Sequence, residues 1–432
     1  MIKSVSPFIQ EFRNSIRTNL FQQISVVFLW DSVSKALGLI TAVLLIRLMA
    51  KEDYALYTFF WMSATFFLGV VTSGIDMAYV RFAAEEYSST KKHPNDIFMF
   101  AGLLCASIFF LLAPVILLNS RQLSLLMFKN VGYGWPLFLG FITAIGLFFI
   151  NIIARYYQIQ ERYQMAGIIS SLQSLMFLLV LLFIGIAQRV NFETFSIAQI
   201  VIVYLFAFFY IGSLLKNKFG LEGVNLTLQR FREFIGTSFW LILYFLVYAL
   251  FAQMDVFMIS RYRGLGDVAT YGVALKYYSL LLSMLPAIKT VLKVRTAKID
   301  MVESLDKQKV FFKKWIRHSS VIFIPLLILI ILVSDYFMNL LNGPRYVQAI
   351  PVFKILAVSA IFSYLFSPIA DVFRAMKKYS HLFCLGLAAL VVCFFMNIIL
   401  VPAIGICGAA IATLFSNLLI NASATIYILI KR

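Results

Sequence analysis

Apolar residues run through this chain in twelve stretches of about 18 to 27 residues, parted by short segments where charged residues gather. A helix needs about 20 apolar residues to cross a hydrocarbon layer, because no backbone group can be left unpaired there. The pattern therefore predicts twelve spanning helices, near 24–46, 54–76, 96–118, 135–154, 165–187, 195–215, 235–260, 267–289, 317–334, 349–373, 379–400 and 404–430. The ninth is the shortest, and the amphipathic Val310 to Trp315 is a candidate extension upstream of it.

The stretches fall into two sets of six that share an ordered series of polar residues. Arg47, Asp53-Tyr54-Ala55-Leu56-Tyr57 and Val80-Arg81 in the first set match Arg261, Asp267-Val268-Ala269-Thr270-Tyr271 and Val294-Arg295 in the second. Each matching pair is 214 positions apart (261 − 47, 267 − 53, 295 − 81). Further on, Tyr157-Gln158 aligns with Phe373-Arg374 at 216, so only a two-residue slip accumulates. Such duplication is a common way to build transporters, with the substrate path between the repeats. It divides the chain into an N-terminal lobe 1–216, a polar linker 217–234 and a C-terminal lobe 235–432. Residues 1–22 are amphipathic and predict an interfacial segment.

Composition agrees with lipid as the solvent: 62% of residues are hydrophobic, 13% are charged, and mean hydropathy is +0.91. With the N-terminus inside, the inner segments hold about 26 Lys and Arg against about 8 outside, which predicts cytoplasmic termini and an insertion signal in the first helix rather than a cleaved leader. The net charge of +18 reflects this bias and anionic headgroups; it does not point to nucleic acid. In the largest inner loop, Lys307, Lys309, Lys313, Lys314 and Arg317 alternate with Phe311, Phe312 and Trp315, as expected of a basic helix on the inner leaflet. No phosphate-binding GxxxxGK[ST] motif, no long outer loop and no zinc-like Cys or His spacing is present, so neither ATP-driven transport nor glycan polymerase chemistry is expected.

A few charges fall inside the spans. Asp31 and Lys35 lie one turn apart on the first helix, with Lys35 near the midplane. Lys276 is a second midplane cation, and Asp255 lies towards the outer end of the seventh span. An isolated charge at such depth costs on the order of 2.5–3.5 kcal/mol and calls for a partner or a wet cavity. For Lys35 the partner is expected to be Asp31; for Asp255 the candidates are Arg261, Arg263 and Lys276. At the 214 spacing, Asp31, Lys35 and Lys276 meet Phe245, Ala249 and Met62, so the midplane charges are not duplicated. Repeated residues then maintain architecture, and unrepeated ones specialise the path. Asp371 and Arg374 are expected to pair near the inner end of the tenth span. Trp30, Trp61, Tyr244 and Tyr248 are candidates for stacking on sugar rings.

Asp53 to Tyr57, Gly74-Ile75-Asp76 with Val80-Arg81-Phe82, Asp255 to Ile259 through Tyr271, and Gly405-Ile406-Cys407-Gly408-Ala409-Ala410 together resemble the polysaccharide flippase family (O-antigen and capsule type) of the multidrug/oligosaccharidyl-lipid/polysaccharide exporter superfamily. The likeness covers nearly the whole chain. It implies an all-α integral membrane protein of the cell inner membrane, with two six-helix lobes in a V and a central cavity lined by the first, second, seventh and eighth helices. It implies translocation of an undecaprenyl-diphosphate-linked oligosaccharide by alternating access, with no enzymatic step and no cofactor. Lys35 and Lys276 would hold the diphosphate, and Asp31 and Asp255 would tune them or couple to Na+ or H+. A polymerase and a chain-length regulator of the same pathway are the expected partners. The alternative within the superfamily is a cation-coupled multidrug exporter, which the two lysines oppose.

Overall fold

The computed structural model describes residues 19–90, 95–160, 162–187, 190–216, 227–283, 305–366, 373 and 378–430. These form twelve α-helices: α1 Asn19–Leu48, α2 Lys51–Thr90, α3 Asn95–Phe128, α4 Gly134–Ile159, α5 Tyr163–Ile186, α6 Phe192–Lys216, α7 Leu228–Tyr262, α8 Leu265–Leu282, α9 Leu305–Asn342, α10 Ala349–Leu365, α11 Tyr379–Ile404 and α12 Ile406–Ile430. Ten have the length and apolarity to cross a membrane. Of the other two, α10 is apolar but short, and α8 carries Asp267 and Lys276.

The pairing of helices repeats between the halves. In the first, α1 packs on α5, α2 on α4, α4 on α6, and α5 on α6; in the second, α7 packs on α11, α8 on α10, α10 on α12, and α11 on α12. The twelve helices are therefore two six-helix lobes built on one plan. The protein is an all-α integral membrane protein.

Helix ends repeat as well. The helices α3 and α9 stop 214 residues apart, at Phe128 and Asn342, and are followed by residues with positive φ, Lys129 at 56° and Gly343 at 71°. The Lys129 N–H donates to the Leu125 carbonyl and the Gly343 N–H to the Asn339 carbonyl, both at 2.9 Å. A left-handed residue closing the last turn is a common helix stop. A short 3₁₀ turn follows each, Val131–Tyr133 and Pro344–Tyr346.

Several boundaries differ from the sequence reading: α2 runs on past 76 to Thr90 and α9 past 334 to Asn342. Helix α3 runs ten residues past its apolar stretch, because the chain bends at Asn119 (φ −120°, ψ 15°) and resumes as helix. Helix α7 begins at Leu228, inside the expected linker, where the Thr227 hydroxyl accepts from the Arg230 N–H. Helix α9 takes in the basic stretch from Leu305, and its Trp315 indole donates to the Leu365 carbonyl at the end of α10 (3.1 Å). The interfacial segment up to residue 18, most of the linker, the loop 284–304, His93 and the Asp371–Arg374 pair lie outside the described residues.

The lobes meet along α2 with α7, α2 with α8 and α1 with α8. Two glycines of α2 make this approach close. A Cβ on Gly74 would lie 2.6 Å from Ile242 Cα, and one on Gly69 would lie 3.0 Å from Ala249 Cβ, both on α7. On α8, a Cβ at Gly272 would lie 2.5 Å from Thr58 Cγ2 of α2. The outward faces carry large exposed apolar side chains such as Phe110, Leu118, Phe183, Ile186 and Phe208, as a lipid-facing surface requires.

Candidate functional site

Lys35 and Lys276 both lie at the seam between lobes. Lys35, on α1, pairs with Asp31 as expected, and its ammonium also donates to the Ser283 carbonyl at the end of α8 (2.7 Å). That second bond crosses from one lobe to the other. Lys276 lies one turn after Gly272, on the side of α8 that meets α2. Among the described residues its ammonium has neither a hydrogen bond nor an ion pair, and it is only half-buried. The two lysines are not in a pair: the carbonyl that Lys35 holds is seven residues beyond Lys276, about 10 Å along α8. Polar contacts continue along the seam, where Gln253 of α7 donates to Thr65 of α2 at 3.1 Å.

Asp255 is elsewhere. It sits inside the C-terminal lobe, 7% exposed, and none of the three cations considered from the sequence is its partner. Arg261 donates to the Leu126 and Met127 carbonyls, Arg263 binds Asp267, and Lys276 faces the seam. Instead Asp255 accepts from four neutral groups on three helices: Tyr271 of α8 and Thr413 of α12 at Oδ2, and Asn397 (3.3 Å) and Cys393 (3.9 Å) of α11 at Oδ1. Hydrogen-bond donors stand where a counter-charge was expected. The amide oxygen of Asn397 is buried beside this carboxylate without a donor.

The N-terminal lobe holds a neutral counterpart of this site. Tyr57, matched to Tyr271, accepts from Gln199 Nε2 at 3.3 Å, and Gln199 stands 214 positions before Thr413. Where the C-terminal lobe has Asp255, the N-terminal lobe has Thr41, whose hydroxyl donates back to Leu37. Only one of the two equivalent positions carries a carboxylate. Asn397, Thr413 and Gln199 were missed from the sequence because each is an ordinary polar residue in an apolar helix; the repeat spacing linking 199 to 413 was the available signal.

The aromatic candidates separate. The Trp30 side chain lies over Gly167 of α5, and Trp61 packs with Phe60 against α4 and α6, both within the N-terminal lobe. Tyr244 lies against Gly386 of α11 within the C-terminal lobe. Tyr248, on α7, is 55% exposed. Period and composition cannot say which face of a helix meets its own lobe, so three of these side chains serve packing. A further buried carboxylate, Asp76 of α2, lies within the N-terminal lobe with Oδ1 lacking a partner.

This fold of two repeated six-helix lobes is shared by solved structures of transporters, several of them described as of the MOP superfamily. The structure of the lipid II flippase MurJ in an inward closed conformation superposes with a TM-score of 0.69 at 15% identity, over 94% of this chain and 87% of that one. A MOP superfamily transporter from Pyrococcus furiosus gives 0.65 at 13% identity, over 96% of each chain, and a eukaryotic MATE transporter gives 0.66 at 13%, also over 96% of each. An uncharacterised membrane protein of Methanocaldococcus jannaschii is 22% identical over 389 residues, 84% of this chain and 74% of that protein. The model of the polysaccharide biosynthesis protein family matches residues 20–292, and the chain belongs to that family.

Proposed function

We propose that the protein is a flippase that carries an undecaprenyl-diphosphate-linked oligosaccharide from the cytoplasmic to the periplasmic leaflet of the inner membrane by alternating access, with both termini cytoplasmic. The observation that carries this reading is that two ammonium groups, Lys35 and Lys276, are set by opposite lobes on one seam, and that Lys276 has no partner among the described residues. The barrier to such a substrate is its diphosphate and hydroxyl-rich sugars; the polyprenyl chain can stay in lipid. A cation at low dielectric stabilises a phosphate oxygen far more than it does in water. Lys276 is held for such an anion, and Lys35 exchanges Asp31 or the Ser283 carbonyl for it. Tyr248 offers a ring to the sugar. The family's polysaccharide role and the likeness to a lipid II flippase support this cargo.

Coupling to Na+ or H+ belongs with Asp255. A carboxylate, a threonine hydroxyl and an amide oxygen without a donor form a set of oxygens that suits either ion. Asp31 tunes Lys35. Polymerase and chain-length regulator would take the product onwards.

In a strain lacking the protein, lipid-linked repeat units should accumulate on the inner leaflet. The Lys35→Ala/Lys276→Ala double variant should insert normally and fail to restore polymer export; full export by that variant would remove the reading. The alternative, a cation-coupled drug exporter, draws on the MATE likeness, but two seam lysines repel cationic drugs. Unchanged drug sensitivity on deletion separates the two.

A further inference from the structure

The same arginine appears at the end of α1 and of α7, and each reaches into the opposite lobe. Arg47 donates through Nε to the Leu341 carbonyl (2.6 Å) and through Nη2 to that of Leu340 (2.5 Å), the last turn of α9. Arg261 donates through Nη1 to the carbonyls of Met127 (2.6 Å) and Leu126 (3.1 Å), the last turn of α3. The donors are 214 residues apart and so are the acceptors (340 − 126, 341 − 127). The duplication has therefore reproduced an interlobe contact in both directions. Arg345, just after α9, adds a return bond to the Met49 carbonyl just after α1 (2.8 Å).

These contacts lie at the face where α1 ends. The final carbonyls of a helix have no intrahelical donors and carry the negative end of its dipole, and a planar guanidinium can satisfy two of them at once. An arginine at a helix end ordinarily extends to headgroups and water. Here two symmetry-related arginines turn across the seam instead.

The opposite face is joined by different chemistry. Arg230 of α7 pairs with Glu86 of α2 and with Asp96 of α3 (2.7 Å), and the Arg81 guanidinium of α2 lies 5.2 Å from the centre of the Tyr379 ring of α11. The side chains of Arg230 and Glu86 are each 31% exposed, where ion pairs are weak and screened by salt.

We infer that Arg47 and Arg261 are paired latches that close the face of the molecule where α1 ends, by capping helix termini of the opposite lobe, and that both must release for that face to open. Because the partners are main-chain carbonyls, the latches survive side-chain replacement on α3 and α9 and resist the rise in salt that loosens the Arg230 contact. The inference is independent of the cargo.

Spin labels at Lys129→Cys and Val347→Cys report this face, and labels at Gln164→Cys and Gln229→Cys the other, with Cys384 and Cys407 changed to Ser and the buried Cys105 and Cys393 kept. Pulsed electron–electron distances in lipid nanodiscs should show the parted population at the first pair rising roughly tenfold in Arg47→Ala or Arg261→Ala and further in the double variant, with the second pair unchanged. Arg230→Ala should widen only the second pair. Lysine at both positions, which keeps the charge but not the two-pronged donation, should give an intermediate opening and serves if the alanine double does not fold. An unchanged first distance in folded variants, or equal widening of both pairs, would overturn the assignment.

Discussion

The ammonium of Lys35 on α1 donates to the main-chain carbonyl of Ser283 on α8 at 2.7 Å, so a charge near the middle of the first helix ties one lobe to the other. Its second partner, Asp31, is on its own helix. The lysine can therefore let go of the opposite lobe without being left alone. Lys35→Ala should weaken this mid-seam tie and lower export, while Asp31→Asn should keep the tie and leave the lysine unneutralised. Comparing export with thermal unfolding in the two variants separates the roles: export falls in both, and stability falls more in the first.

Among the described residues the Lys276 ammonium has no partner, and an unpaired charge in the seam is a cost to the resting fold. Lys276→Met should raise the unfolding temperature, by a stabilisation of about 1–3 kcal/mol, and abolish export. A variant that is both more stable and active would show that the ammonium has no part in carriage.

Asp255 gives a prediction in ions. Its four donors come from α8, α11 and α12, so a cation or proton taken there draws three helices together around α7. Sodium should raise the unfolding temperature of the purified protein above that in choline chloride at equal ionic strength, and Asp255→Asn should cancel the difference. If the wild type shows no sodium effect but its stability changes with pH, and Asp255→Asn removes that change, the coupled ion is H+; if Asp255→Asn leaves both responses intact, the site does not couple.

Arg230, which pairs with Asp96 and Glu86, lies before the apolar span of α7. The Asp96 carboxylate, followed by that of Glu86, raises the guanidinium pKa above its already high ordinary value. A raised folded-state value means that the stabilisation is fully present below the unfolded-state value and is lost only as pH climbs through the folded one. Between about pH 6 and 9, Arg230 itself should contribute no pH dependence. Arg230→Ala should cost no more than about 1 kcal/mol, less in high salt, by thermal unfolding at two ionic strengths.

Gly140 of α4 tests the packing on which the lobe depends. A Cβ there would lie 2.7 Å from Ser63 Cβ and 2.8 Å from the Phe60 carbonyl oxygen of α2. Backbone cannot yield as a flexible side chain does. Gly140→Ala should destabilise by about 1–3 kcal/mol, whereas Gly212→Ala, with nothing within 4 Å, should be neutral; thermal unfolding compares them directly.

By itself the sequence determined the helices, the duplication and the depth of the charges. Lipid offers no hydrogen bonds, so every spanning segment must be a long apolar helix, and a charge within one is conspicuous by its rarity. Lys35 beside Asp31 was legible for the same reason, since four residues along a helix is a fixed distance. What only the tertiary structure decided was which surfaces the helices turn towards each other. Asp255 found Tyr271, Thr413, Asn397 and Cys393 rather than a cation, and Trp30, Trp61 and Tyr244 turned into their own lobes, because helix rotation is set by packing against neighbours that are distant in sequence. The acceptors of Arg47 and Arg261 were hidden for another reason. They are main-chain carbonyls at helix ends, which every residue possesses, so no side-chain pattern marks them until the two lobes are brought together.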